Sequence, residues 1–85
     1  MNDLDLFRNQ IDEIDEKMKQ LFLKRLEIAK LIGKYKKQNN LEVNNLEREV
    51  AMFSKHKETF ENKELYDLYQ HFLSMIIKLS KEVQK

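Results

Sequence analysis

The chain has 85 residues with 16 basic and 15 acidic side chains, a formal charge of +1, no cysteine, no proline and a single glycine. That length allows one domain with a modest core, and without cysteine no disulfide can brace it. The balanced charge argues against non-specific nucleic-acid binding, which needs a basic surplus on one face, and no apolar run approaches the ~18 residues that would read as a membrane span.

So little turn punctuation makes the chain read as all-helical. The sequence carries no metal-ligand cluster, so no metal and no cofactor is expected, and oligomerisation remains as the route to more buried surface. The acidic start Met1-Asn2-Asp3-Leu4-Asp5 lacks the apolar stretch of a signal peptide. A cytoplasmic protein is therefore expected, and the absence of cysteine is compatible with that.

The first helix is predicted from about Asp3 to about Gln38, with Asp3 or Asp5 as N-cap and Lys34, Lys36 and Lys37 suiting its C-terminal end. Leu4, Phe7, Ile11, Ile14, Met18, Leu21, Arg25, Ile28, Ile32 and Tyr35 follow at alternating steps of three and four, the seam of a helix that packs on other helices. Such a helix spans ~50 Å at 1.5 Å per residue, too long for a compact chain of this size, so its far end should meet another chain. Gly33 interrupts the pattern. It is either a site of close approach or a tolerated surface glycine, at roughly 1 kcal/mol against alanine.

Arg25 is the polar member of the seam, and a guanidinium cannot shed its charge. Its partner is either a carboxylate, with Asp12 or Glu16 of a second chain as candidates, or an anionic ligand. Lys36 lies eleven residues on, a net rotation of only ~20°, so two cations share a face. Lys36 could also snorkel from the seam edge. Arg8 precedes Arg25 by 17 residues, or ~26 Å of helix. Two antiparallel copies crossing near Glu16 and Lys17 would bring Arg8 of one chain to Arg25 of the other and create two identical shared sites.

Gln38 to Asn45 is the main break, with Asn44 or Asn45 capping a short second helix from about Leu46 to Lys55. Glu49 falls on its apolar face with Leu46, Val50 and Phe53, and Arg48 sits beside it; both charges could equally be surface residues. Glu61-Asn62-Lys63 forms the second break. The third helix is predicted from about Lys63 to Val83, with Leu65, Leu68, Phe72, Met75, Ile76, Leu79 and Val83 at helical spacing. Ser80 and Gln84 flank that stripe, where most helices carry solvated residues. His56 and His71 suggest no ligand constellation, and Tyr66 and Tyr69 read as packing residues with hydroxyls in water.

These positions together resemble the all-helical chorismate mutases. The likeness starts at Leu6-Phe7-Arg8 and Ile11-Asp12-Glu13-Ile14-Asp15. It runs through Leu21-Phe22-Leu23-Lys24-Arg25, Ile28-Ala29 and Ile32-Gly33-Lys34-Tyr35-Lys36, resumes at Arg48-Glu49, and closes with Ile76-Ile77, Ser80 and Gln84. The resemblance implies three helices per chain (long, short and medium) in an intertwined six-helix homodimer with shared active sites, and chorismate as substrate. Arg25, with Arg8 from the second chain, would bind its two carboxylates. Lys36 and Gln84 would meet the ether oxygen, Glu49 would accept the ring hydroxyl, and Arg48 and Ser80 would complete the polar lining. Asn45 stands where the family commonly has an acid, and its backbone could still meet the hydroxyl. The proline often found in the preceding loop is missing.

The implied reaction is a one-step pericyclic rearrangement to prephenate, in phenylalanine and tyrosine biosynthesis, and it needs no nucleophile or metal. A lyase of the same fold acting on isochorismate is the nearest rival, and the Arg48-Glu49 pair favours the mutase. A helical dimerisation or regulatory module without catalysis is the rival of a different class, and the retained polar set argues against it.

Overall fold

A computed structural model describes residues 2–85, and among them the regular structure is three helices: α1 (Asp3–Gln38), α2 (Leu46–Thr59) and α3 (Lys63–Gln84). Asparagine does most of the punctuating. The N-cap of α1 is Asn2, not Asp3 or Asp5. Its Oδ1 accepts the Asp5 amide at 2.8 Å, which leaves both aspartates inside the first turn, where the positive end of the helix dipole favours them. Asn45 caps α2 through the Arg48 amide, and Asn62 caps α3 through the amides of Glu64 and Leu65.

Helix α1 stops without proline or glycine because Asn40 adopts the left-handed conformation, φ 55°. The Leu41 amide then reaches the Lys36 carbonyl at 2.7 Å and the Asn40 amide reaches that of Lys37. That is a Schellman closure with asparagine in glycine's usual place. Helix α2 continues four residues past the expected Lys55. His56, Lys57 and Glu58 form a polar turn with no apolar signal, and the Thr59 hydroxyl bonds back to the His56 carbonyl.

Helix α3 packs on both α1 and α2, which do not pack on each other. The α1–α3 contact runs over small residues. Ala29 is 4% exposed, and Gly33 is buried against the last turn of α3. A Cβ at Gly33 would stand 2.6 Å from the Gln84 Cα and 2.8 Å from its carbonyl oxygen, so a surface role is ruled out: the glycine is a backbone-on-backbone contact. Tyr66 does not keep a wet hydroxyl. It is 7% exposed, and its OH donates to the Phe53 carbonyl of α2 at 3.1 Å. Tyr69 stacks between His56, Phe60 and Phe72.

The chain is not compact. Its extents are 57 × 27 × 15 Å and its radius of gyration is 16.5 Å, against about 12 Å for a globule of this length. Every apolar member of the long seam on α1, from Leu4 to Tyr35, remains exposed. Among the described residues no helix is long and apolar enough to cross a membrane.

Candidate active site

Because α1 and α2 both lean on α3 without touching each other, a cleft opens between them. It is a cavity of about 350 Å³ lined by Arg25, Ile28, Ala29, Ile32 and Lys36 of α1, Val43 of the loop, Asn45, Arg48, Glu49 and Met52 of α2, and Ile77, Ser80, Lys81 and Gln84 of α3. Seven of the eight residues singled out from the sequence line it: Arg25, Lys36, Asn45, Arg48, Glu49, Ser80 and Gln84. The eighth, Arg8, does not. It is exposed on the bare half of α1, ~26 Å of helix from Arg25.

The α3 wall is the most buried part. Ser80 and Gln84, four residues apart, are 7% and 8% exposed, so neither is a solvated flank residue. Ser80 donates its hydroxyl to the Ile76 carbonyl at 2.9 Å and accepts from the Arg25 guanidinium. It therefore orients Arg25 while leaving most of that fork's donors free. Among the described residues of the chain, no carboxylate forms an ion pair with Arg25. Glu16 is engaged by Lys19 at 2.8 Å, and that hydrogen bond and charge hold its carboxyl below the usual range.

Lys36 ties the cleft together. Its ammonium donates to the Val43 carbonyl at 2.9 Å and to Gln84 Oε1 at 2.8 Å. An ammonium has three donors and no acceptor, so one N–H is left for the cavity. Since Lys36 can only donate, the Gln84 amide must turn its oxygen toward it. The Gln84 NH₂ is then the free end, and two adjacent groups of the lining keep donors that no hydrogen bond described in the chain uses.

Glu49 supplies the opposite polarity. Its Oε1 pairs with Lys81 Nζ at 3.0 Å, while its Oε2 is buried with no hydrogen-bond partner. A buried carboxylate oxygen without a donor is costly, of order 1–3 kcal/mol, and it is a spare acceptor on the one carboxylate of the cleft lining. Asn45 spends its Oδ1 on the α2 cap, so its side-chain oxygen is committed to the fold.

With Arg25, Lys36, Arg48 and Lys81 against Glu49, the lining carries four formal positive charges and one negative, a net +3. Such a cleft suits a ligand with more than one negative charge and at least one hydroxyl. Lys81 and the Val43 carbonyl escaped the sequence reading. A lysine on an amphipathic helix reads as solvent-facing, and a backbone acceptor has no residue signature. Among the described residues no cluster of His, Asp and Glu could hold a metal ion.

Comparison with known proteins identifies the family. Residues 7–85 match the family described as chorismate mutase type II. The chain is 33% identical over 92 residues to the bifunctional chorismate mutase/prephenate dehydratase of Aquifex aeolicus, across 99% of this chain and 25% of that protein. It is 47% identical over 45 residues to the T-protein of Haemophilus influenzae, across 53% of this chain and 12% of that one. The chain thus spans a quarter or less of the length of these curated relatives. A solved structure, described as a conserved hypothetical protein from Pyrococcus furiosus, superposes with a TM-score of 0.82 at 34% identity, covering 100% of this chain and 99% of the other. A three-helix chain with this cleft, matched over nearly its whole length, belongs to the chorismate mutase type II family.

Proposed function

We propose that the chain is a chorismate mutase, an isomerase that rearranges chorismate to prephenate, and that it acts as a homodimer with two shared sites. The observation that carries the reading is the pairing of Lys36 with Gln84, which leaves one N–H and one NH₂ unused in a cleft whose lining also holds Glu49 with its unpartnered Oε2. In the rearrangement a carbon–carbon bond forms as the ether C–O bond breaks, all within one molecule. No proton has to be taken or given, so the protein's work is conformational and electrostatic. Holding the chair-like conformer removes the entropic part of the barrier, and donors at the ether oxygen stabilise the negative charge that grows there. Lys36 and Gln84 are the donors in this reading. Arg25, oriented by Ser80, grips one carboxylate by bidentate contact, Arg48 adds a second cation, and Glu49 takes the ring hydroxyl.

The dimer is supported by what one chain leaves open. The seam from Leu4 to Tyr35 is exposed, and an apolar groove lined by Met18, Leu21, Phe22, Arg25, Phe72 and Ile76 runs beside it. A second copy laid antiparallel on that seam would cover the groove and carry its Arg8 to Arg25, completing the clamp on the dianion.

The experiment is chorismate depletion by purified protein, with the product identified by chromatography. Prephenate at a rate far above background is expected. A folded protein without turnover would overturn the assignment, and isochorismate would then be tried for pyruvate release. Because the Gln84 amide does not titrate, activity should not fall sharply just above neutrality. Mixing inactive Arg8→Ala and Arg25→Ala subunits should restore part of the activity through one intact site per mixed dimer. No recovery after confirmed subunit exchange would remove Arg8 from the site.

A further inference from the structure

Lys81 lies outside the set of groups that the proposed chemistry uses, yet it forms an ion pair unlike the others in the chain. Among the described residues, Lys19–Glu16 within α1 and Lys85–Glu82 at the C-terminal cap of α3 are i,i+3 pairs with side chains more than half exposed. Lys81–Glu49 joins α3 to α2 at 3.0 Å, with the two side chains only 30% and 20% exposed. It also sets the two oxygens of Glu49, a residue of the cleft lining, apart: Oε1 is held by Lys81, and Oε2 is left buried and unpartnered.

We propose that Lys81 is a positioning residue that makes Glu49 a single, aimed acceptor and so sets the site's preference for a hydroxyl-bearing dicarboxylate. The inference rests on the chorismate reading and names a determinant within it. A carboxylate on a partly exposed helix face has several rotamers and two equivalent oxygens, and either oxygen could turn to water. The ammonium of Lys81 removes that freedom. It clamps one oxygen from α3, three residues before Gln84, so that the Glu49 acceptor on α2 and the ether-oxygen donor are both tied to the last turn of one rigid element. The geometry then rewards a ligand whose hydroxyl proton points at Oε2, and gives no such reward to the same skeleton without it. Lys81 also offsets a negative charge that would otherwise repel a dianion.

The test uses two unreactive bicyclic dicarboxylates that mimic the chair-like transition state, one with the secondary hydroxyl and one without. Affinities are read by calorimetry, so the result does not depend on turnover. Wild type should prefer the hydroxylated mimic. In Lys81→Met the uncovered carboxylate weakens both mimics. The loss of aim weakens the hydroxylated one further, so the preference ratio should shrink by about tenfold, the worth of a charge-assisted hydrogen bond. Lys81→Arg, which keeps the cation and the bridge to α2, should retain most of the ratio. In a Glu49→Ala background Lys81→Met should leave the ratio unchanged, because the group it acts through is gone. An unchanged ratio in Lys81→Met alone, or an effect that persists beside Glu49→Ala, would overturn the proposal while the chorismate reading stands. Failure of wild type to bind either mimic would remove both.

Discussion

Helix α1 has two faces that follow opposite rules. One is the long apolar seam from Leu4 to Tyr35, whose apolar members all stay exposed. The other is a narrow strip through Phe22, Leu26, Ala29, Gly33 and Lys36, which turns toward the chain's own interior and is buried at its two smallest residues. The large side chains face outward and the small ones carry the intramolecular packing. Small residues let two backbones approach, as the 2.6 Å between a notional Gly33 Cβ and Gln84 Cα shows. Large residues need a broad partner surface that 85 residues folded on themselves do not supply. Hydrophobic periodicity thus marks the face that the chain itself leaves uncovered, while the weaker pattern marks the fold. Arg25 belongs to both faces, half-buried against Ser80 on one side and lining the open groove on the other.

The sharpest break of that comparison is at the shared residue. Arg25→Ala should lower turnover at least about a hundredfold, the usual scale for losing a charged contact to the reacting ligand. Helix content should be kept, because its partner within the chain is a serine hydroxyl. Circular dichroism beside a kinetic assay checks both halves, and unchanged turnover would remove the arginine from the site.

The outward face is probed next by Ile14→Asp. Within one chain this exposed substitution should cost less than about 0.5 kcal/mol. If a second copy covers the seam, sedimentation velocity will show dissociation. A variant that sediments as wild type does would disconnect the seam from self-association.

The inward face is probed by Gly33→Ala, where two effects compete. Helix propensity alone favours alanine by roughly 1 kcal/mol. The clash with the Gln84 backbone cannot be relieved by a side-chain rotation, so a net loss of about 1–3 kcal/mol is expected in urea unfolding. Displacement of Gln84 from Lys36 should slow turnover as well. A gain in stability would show that the helices yield more easily than their contact implies. The smallest effect belongs to Asn45→Ala, which removes the α2 cap and should cost ~1 kcal/mol, with the cleft residues otherwise intact.

What could be read from the sequence follows the same division. The three helices and an asparagine cap at Asn44 or Asn45 were legible from helical spacing and turn chemistry. The joining of Arg25, Lys36, Glu49, Ser80 and Gln84 came instead from the family resemblance, since spacing alone left Ser80 and Gln84 as solvated flank residues. The N-cap of α1 was misread because Asp3 and Asp5 suit a first turn as well as a cap. The end of α2 was placed early because its last turn is polar. Gly33 stayed ambiguous because a glycine in a helix looks the same from within one helix whether or not another backbone lies on it. Lys81 went unnoticed for a related reason. Its meaning depends on Glu49 of another helix, and no spacing along α3 encodes that distance.

Helix α2 contributes a consequence of its own. None of its residues is fully buried, and it rests on α3 alone, through the Lys81–Glu49 pair, the Tyr66 hydroxyl on the Phe53 carbonyl and the stacking of His56 on Tyr69. A wall held by so few contacts opens at a smaller free-energy cost than the helix that supports it. In native-state hydrogen exchange the amides of α2 should therefore lose protection ahead of those of α3, as one cooperative unit. The same local opening gives a ligand a way in and out of the cleft that leaves the α1–α3 contact, and with it Arg25, Lys36 and Gln84, in place.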